Sequence, residues 1–528
     1  MNYIQGKNRE QSILFPQSLD QIISSDNEVR IIDLFVESIN ITDFKFVVKS
    51  SAEGRPSYHP KDLLKLFVYG YLNSIRSSRT LEKECRRNTE LMWLMKQLAP
   101  DHNTIANFRR DNQKAIRKVF RHTVSIAQQF NLIGGTLIAG DSTKLRAQNS
   151  KKNNFNENKI EQHLVYIDNK LNEYTKALET ADDDNPQDAV HKKIIAAQIE
   201  KQNNRKDFYN NLSNQLQQNN TTQISTSDPD SRQMITRNNI TEVAYNVQTV
   251  VDAKHCLPID YKVTNENDSK AMGTMLRRTK TILQHNHFTA LYDKGYHTGS
   301  EIKKAIEMGI DIMVAIPGVA SFAPNDQYNF DKFIYNNNKD TYTCPQQQIL
   351  TSNGNWYQKS KQRYIYFVKH YKTNACSNCA ALALCTKNKK GRLLERSEYQ
   401  PYIEQNKINI DTNSSTYKKR QAIDEHPYGI IKRQWGLYYI TTKKGIHRAS
   451  ADVGLMCVAY NLRRLMNIID KNEFKTFLEK LWSLFSEKRS VAEAIKSKLA
   501  HLIFIPVYSR IFARRLKVPP MLLYFMYI

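Results

Sequence analysis

The chain has no long uninterrupted apolar run. Its opening stretch, MNYIQGKNREQSILFPQSLD, is polar throughout and holds no apolar core of signal-peptide length. The closing stretch, HLIFIPVYSRIFARRLKVPPMLLYFMYI, is apolar but broken by Arg510, Arg514, Arg515, Lys517 and three prolines, so it falls short of the roughly 18 continuous residues a span needs. A membrane partner is therefore not expected, and nothing in these segments directs the chain out of the cytoplasm. Cysteine is also sparse. Of seven in 528 residues, four crowd into residues 344 to 385, a distribution unlike the even framework of a secreted disulfide scaffold and better suited to a reducing compartment. Acidic residues are in deficit as well: 52 Asp and Glu against 77 Lys and Arg leave a formal charge of +25. An excess of that size points to a polyanionic partner such as DNA.

The length suffices for two to four domains. Residues 1 to 130 read as helical, strongest over 61–98 and 104–130, with Asn103 or Thr104 as the expected N-cap of the last helix. Arg109 and Arg110 would project from its first turns, suited to a phosphate contact or a helix-turn-helix, or else to a solvated helix end. Further on, Ile160, Leu164, Ile167, Leu171, Tyr174 and Leu178 alternate spacings of four and three, the pattern of a helix lying against another helix. After a break at DDDNPQD a second helical stretch carries Val190, Ile194, Phe208, Leu212 and Leu216. The expected product is a helical hairpin inserted in a larger domain.

Strands follow. VAYNVQTVVD and LPIDYKVTN form an expected antiparallel pair turning at Ala253–Lys254–His255, then come a helix, the strand ending LYD at Asp293, another helix and the strand DIMVAIP. An earlier apolar run, Leu137–Ile138–Ala139, ends on Gly140–Asp141. Taken singly, Asp141 and Asp293 are ordinary turn or cap residues. Two separate strands that both end on Asp, in a mixed α/β order, place two carboxylates at neighbouring strand ends. A third acidic candidate is the pair Asp424–Glu425, set in a helical segment with eight Lys or Arg between 418 and 448. The plain explanation there is an intrahelical ion pair with Lys419 or Arg420. The alternative is metal: converging carboxylates repel one another and become sensible when divalent cations neutralise them. Mg²⁺, which takes few carboxylates plus water and phosphate, suits such a site.

These stretches together resemble DDE transposases of bacterial insertion sequences, in the branch grouped with IS-eleven-eighty-two-like elements and more loosely with the IS-four and IS-five groups. The likeness runs from SILFPQSLDQIISSDNEVRIIDLFVESI through GRPSYHPKDLLKLFVYGYLNSIRSSRTLEKECRRN, PDHNTIANFRRDN and GTLIAGDSTKLRAQNS. It continues with NNITEVAYNVQTVVD, LYDKGYHTGSEI and YKKRQAIDEHPYGIIKRQWG, and ends near ADVGLMCVAYNLRRL, covering roughly residues 10 to 470. The resemblance implies an α/β fold: a ribonuclease H-like catalytic core over residues 131–470, a helical N-terminal DNA-binding domain over 1–130, and a helical tail over 471–528. It implies two insertions in that core, a helical hairpin near 150–235 and a cysteine-containing segment near 318–412.

By the same resemblance, Asp141, Asp293 and a glutamate of the 424–425 pair would hold two Mg²⁺ or Mn²⁺ ions. The family's last helix often follows Tyr, two residues, Arg, three residues, Glu, six residues, Lys. Here the pattern splits, since Tyr417 and Arg420 put the acid at Asp424, whereas Lys432 puts it at Glu425. The run EHPYGIIK favours Glu425, with Arg420 and Lys432 beside it, and Pro427 predicts a kink or a helix start there. Cys344, Cys376, Cys379 and Cys385 supply enough thiols for a tetrahedral structural zinc if the intervening loop folds back, the alternative being free or merely packed thiols; Cys85, Cys256 and Cys457 read as packing residues.

The implied activity is metal-dependent hydrolysis at the ends of an insertion sequence followed by strand transfer into target DNA, with no covalent protein–DNA intermediate. The implied partners are terminal inverted repeats and target DNA, bound by a homodimer in the bacterial cytoplasm at the nucleoid. Lys144, Arg146, Lys432 and Arg433 would join Arg109 and Arg110 in backbone contacts. A nuclease on the same fold that cuts without joining, or a DNA-binding protein that has lost catalysis, are the alternatives.

Overall fold

A computed structural model describes residues 18–47, 56–180, 186–236, 239–318, 323–361, 364–442 and 444–484. The expected tail therefore lies mostly outside the described residues, and 471–484 are helical. The chain divides into two compact units, residues 1–119 with 462–528, and residues 120–461.

The first unit is helical. It holds α1 (Leu19–Ile22), α2 (Glu28–Glu37), α3 (Ile41–Phe44), α4 (Pro60–Leu72), α5 (Ser78–Arg87), α6 (Thr89–Leu94) and α7 (His102–Asp111), with α8 (Gln113–Gln129) beginning there. Side-chain caps start most of them: Asn27 for α2, Ser77 for α5, Asn88 for α6 and Asp101 for α7. Asp101, rather than Asn103 or Thr104, is the cap of α7, because its carboxylate accepts the N–H groups of both. The single helix expected over 104–130 is two, broken at Asn112, whose side-chain amide donates to Phe108 O and whose Oδ1 accepts Val47 N–H. The pivot is α4, buried from Leu63 to Leu72. Its Lys65 is 1% exposed and is tolerated there because Asp33 and Glu37 of α2 meet its ammonium at 2.6 and 2.7 Å.

The second unit is built on a six-stranded sheet. Its strands are β1 (Leu137–Arg146), β4 (Arg232–Ile235), β5 (Thr241–Asp252), β6 (Leu257–Thr264), β7 (Thr289–Tyr292) and β8 (Asp311–Val314), after β2 (Asn154–Phe155) and β3 (Ile224–Ser225) have paired separately. The order is β4-β5-β1-β7-β8, with β6 also on β5. β4, β6 and β1 run antiparallel to β5, whereas β1, β7 and β8 are mutually parallel. The parallel strands need helical crossovers, supplied by α11 (Met272–Leu283) before β7 and α12 (Gly299–Glu307) before β8. β5 is buried without interruption from Val243, the signature of a strand covered on both faces.

The hairpin is present as α9 (Glu157–Glu179) and α10 (Pro186–Gln218), closed at its base by β2 and β3. Ile160 and Ile167 of α9 pack on Tyr209, Leu212 and Leu216. The stripe on α10 differs from the one expected: Ile195, Gln202, Tyr209 and Leu216, exactly seven apart, are buried, while Val190, Ile194 and Phe208 are exposed. The strict heptad turned the interface by one residue.

Between β8 and α14 (Gln400–Thr412) lies a second sheet of β9 (Ile334–Asn336), β10 (Thr341–Thr343), β11 (Ile349–Ser352), β12 (Tyr357–Lys361), β13 (Tyr364–Lys372) and β14 (Leu394–Ser397), with the short α13 (Leu382–Cys385). Its own core is Phe333, Tyr342, Leu350, Tyr371 and Leu394. The chain then forms α15 (Ser414–Lys418), α16 (Arg420–Tyr428), a π-helical turn at Gly429–Gln434 and α17 (Ile446–Ile468). Pro427 does not stop α16; it lacks an N–H, and the helix widens into the π turn immediately after it.

Candidate active site at the β1–β7 edge

Asp141 was expected at the end of its strand and lies in the middle of it. The reason is that the two neighbours of β1 have different lengths. β5 pairs with β1 as far as Arg146, whereas β7 leaves after the Gly140–Tyr292 pair. Asp141 and Asp293 are the next residues on these two parallel strands, one on β1 and one just past β7. Gly140 is required for this approach, because a Cβ there would fall 2.1 Å from the Tyr292 ring. Asp293 also behaves as the turn residue its sequence suggests, accepting Gly295 N–H at 2.9 Å. Asp141 Oδ1 accepts Ser142 N–H at 2.7 Å.

The helix α16 lies over this edge through Ile423, which packs with Ala139, Val251, Leu291 and Met313. The next residue, Asp424, is 0% exposed. Its Oδ2 meets Arg420 Nη1 at 3.2 Å, the same guanidinium is 3.9 Å from Asp141 Oδ2, and its Oδ1 has no partner. Glu425 does not join this group. It is exposed, and its carboxylate accepts a bond from Gln421 Nε2 at 2.9 Å. In the split pattern, the geometry follows Tyr417 and Arg420: a spacing of four on an α-helix keeps Arg420 and Asp424 on one face, and Glu425 is turned about 100° away.

The carboxylates strain one another. Burial, with the charge of Asp141 added, pushes Asp424 up to about 8, and Arg420 offsets only part of this. Burial also pushes Asp141 up to about 6 against the bond from Ser142 N–H, and the charge of Asp293 adds to the rise. An unpartnered buried oxygen and two acids held above their ordinary range form a site deficient in positive charge. As placed, no three His, Cys, Asp or Glu side chains among the described residues stand close enough to share an ion. The donor set is nonetheless the hard oxygen chemistry that Mg²⁺ or Mn²⁺ takes, and Arg420 stands between two of its members.

The expected basic residues divide. Lys432 belongs to the site: its ammonium donates to Thr143 Oγ1 at 2.9 Å, and Thr143 shares the Asp141 face of β1. Arg433 is exposed on the same π turn, and Arg146 is exposed 3.9 Å from Glu242. Lys144, on the opposite face of β1, is held by Asp268 at 3.0 Å and Ser142 Oγ at 2.9 Å. Arg109 is not a surface group. It is 6% exposed, lies over Phe67 and donates to Tyr71 OH at 2.9 Å. Arg110 is exposed and paired with Asp111.

Asp268 was not foreseen. Its carboxylate accepts from Lys144, from Asn246 Nδ2 at 2.7 Å and from Gln248 Nε2 at 2.6 Å, while Gln248 Oε1 takes the hydroxyl of Tyr296 in the turn after Asp293. Burial raises Asp268, but the Asn246 bond and the Lys144 charge outweigh it and leave the acid below its usual range. It therefore links the strand of Asp141 to the turn of Asp293. Only the pairing of Lys144 with Asn246 and of Ser142 with Gln248 reveals it; in sequence it is one acid in an Asn-rich turn.

The four clustered cysteines line one cavity of about 30 Å³ together with Thr373, Leu382 and Arg392. All are free thiols. No helix among the described residues is long and apolar enough to cross a membrane.

Two family models match the chain, the Transposase domain (DUF772) over residues 17–111 and the Transposase DDE domain over residues 343–466. No curated protein matches it. Among solved structures it is similar to the cryo-EM structure of a piggyBac transposase synaptic complex with hairpin DNA, at 11% identity over 88% of this chain and 81% of that one. The TM-score of 0.26 is too low to equate residues. Each family model is a transposase domain in its own right, one ending before β1 and the other taking in α16; on both matches this chain is a transposase of the DDE type, an enzyme that cuts DNA and transfers its strands.

Proposed function

We propose that Asp141, Asp293 and Asp424 are the three carboxylates of this transposase and that they hold two divalent ions, Mg²⁺ or Mn²⁺, at the β1–β7 edge. The observation that carries this reading is that burial and neighbouring carboxylates raise both Asp141 and Asp424, Asp293 acting on the first and Asp141 on the second, beside an unpartnered oxygen of Asp424. Asp424 takes the place expected for Glu425. The strand order, three antiparallel strands continued by two parallel ones, supports a ribonuclease H-like core.

When bound, the ions supply activation of an attacking oxygen and stabilisation of a leaving one in phosphodiester displacement. The chain's own residues do the rest. Asp141, Asp293 and Asp424 provide acceptor oxygens only, so no side chain here is asked to become a nucleophile. Arg420, between Asp141 and Asp424, holds the two acids together and would be the guanidinium offered to phosphate at this edge. Lys432, fixed by Thr143 on the same strand face, neutralises the backbone of the scissile strand. Arg433, exposed on the same π turn, extends that contact, whereas Lys144 and Arg146 lie on the other face of β1. Water is the first acceptor at the element's terminal inverted repeat, and the freed 3′-hydroxyl then attacks target DNA. The ends are held by a homodimer, and the element belongs to the IS-eleven-eighty-two-like branch. A structural zinc on Cys344, Cys376, Cys379 and Cys385 is part of the same reading: the four thiols line one cavity and would have to draw closer than they stand to share an ion.

The test is strand transfer by the full chain from a pre-cleaved end, in Mg²⁺ and in EDTA, with Asp141→Ala, Asp293→Ala, Asp424→Ala and Glu425→Ala. The expected result is joining that needs Mg²⁺, is abolished by the three Asp substitutions and survives Glu425→Ala. Cleavage without joining in the wild type would make the protein a nuclease instead, and loss of joining in Glu425→Ala with activity in Asp424→Ala would reverse the assignment of the third acid.

A further inference from the structure

The first unit carries a basic face that the family matches do not explain. α5 is buried through Leu81 and Cys85, which are 0% and 2% exposed. At about 100° per residue, Arg79, Lys83, Arg86 and Arg87 fall together on the side directly opposite those two, and all four are exposed. The two acids of the helix lie at the flanks of this stripe and are engaged. Glu82 accepts the N–H and Nδ1 of His102 at 3.1 and 2.9 Å, and Glu84 is paired with Arg87. What remains toward solvent is Arg79, Lys83 and Arg86, spaced four and three, with no acid among them.

The helix is also rigidly presented. Ser77 caps it by accepting Thr80 N–H. The turn before it is tied by Arg109, whose Nη1 reaches Arg76 O at 3.3 Å as well as Tyr71 OH. Arg109 therefore acts on the position of α5 from inside, rather than on DNA from α7.

We propose that α5 is the helix by which this unit enters the major groove of duplex DNA at the element's ends, with Arg79, Lys83 and Arg86 as its contacts. The inference rests on the transposase reading and adds the element and residues that recognise the substrate. A single α-helix fits the major groove, Arg and Lys pair with phosphates and with guanine edges, and three cations over two turns match a short run of backbone charge. Most sequence-independent affinity in such contacts comes from released counterions, which gives the proposal a quantitative signature.

The experiment is fluorescence anisotropy of the full chain on two duplexes of equal length, one carrying the terminal inverted repeat and one with that sequence scrambled, in EDTA and across a salt series. For Arg79→Ala, Lys83→Ala and Arg86→Ala combined, the slope of log K against log salt should become shallower by about 2.7, or roughly 0.9 per lost phosphate contact. Lys83→Glu alone should weaken binding further than Lys83→Ala. Circular dichroism and the melting curve should stay those of the wild type, because all three side chains are exposed. An unchanged slope and affinity in the triple variant, with wild-type binding intact, overturns the role of α5 and leaves the transposase reading standing if the wild type still joins ends. Failure of the wild type both to bind either duplex and to join pre-cleaved ends overturns both.

Discussion

Asp424→Asn has opposite consequences for folding and for catalysis, and the sizes follow from the site. Without ions, a carboxyl that burial pushes from its ordinary 3.8 up to about 8 has its charged form disfavoured by about four factors of ten. At about 1.4 kcal/mol each this sets an upper bound near 6 kcal/mol. Asparagine removes that charge but also gives up the ion pair with Arg420, so a net gain on the order of 2–4 kcal/mol is expected. The direction with pH is fixed. The folded state holds this proton more tightly than the unfolded one, so the contribution favours folding at low pH and is lost as pH climbs from about 4 to about 8. In EDTA the Asn variant should melt on the order of 5 °C above the wild type at pH 9 and close to it at pH 5. In excess Mg²⁺ the order should invert, because only the wild type gains binding free energy, and joining by the variant should be undetectable. Glu425→Gln should follow the wild type in every arm. Equal pH dependence in the wild type and Asp424→Asn, or loss of Mg²⁺ stabilisation in Glu425→Gln instead, would refute the reasoning.

Three other outcomes follow from the same geometry. Gly140→Ala puts a methyl group 2.1 Å from the Tyr292 ring; overpacking of about 1–3 kcal/mol should lower the melting temperature and reduce joining, as the Asp141 and Asp293 positions separate. Asp268→Asn keeps acceptors for Asn246 and Gln248 but loses the charge that holds Lys144, so it should raise the Mg²⁺ concentration for half-maximal joining several-fold; Asp268→Ala should be more severe, and a purely structural role would lower stability without moving the Mg²⁺ requirement. Cys379→Ser should reduce zinc per chain, measured by elemental analysis, from about one to near zero and lower the stability of the second sheet by several kcal/mol; wild-type protein purified in zinc-containing buffer with none bound would remove the zinc reading.

Patterns of residues near in sequence were legible in advance, and patterns set by register were not. The two-residue and 3.6-residue periodicities located β5, β6, β7, α9 and the α15–α16 segment. The rotation of α10 could not be read, because Ile194 and Ile195 are adjacent and equally apolar, yet the fold buries Ile195 and exposes Ile194. Asp141 illustrates the same limit. An apolar run that stops at Gly140 looks like a strand end, yet the strand goes on because β5 continues to supply hydrogen bonds after β7 has left. Arg109 and Arg110 look alike as neighbours in a basic pair; α7 buries one and exposes the other.

The proposed choice of Asp424 over Glu425 rests on helix geometry that a residue count alone does not carry. A spacing from Lys432 back to the acid assumes a uniform helix, but the turn between them is π-helical after Pro427. A π turn inserts an extra residue per turn, so a count of residues carried through it no longer measures angle about the axis. The count from Arg420 to Asp424 stays within regular α-helix and keeps its meaning. The same widening lets Lys432 reach Thr143 beside Asp141 while Asp424, eight residues earlier in the sequence, still faces that strand. The proline that interrupts the pattern is thus part of why the acid, the arginine and the lysine can all address one edge of the sheet.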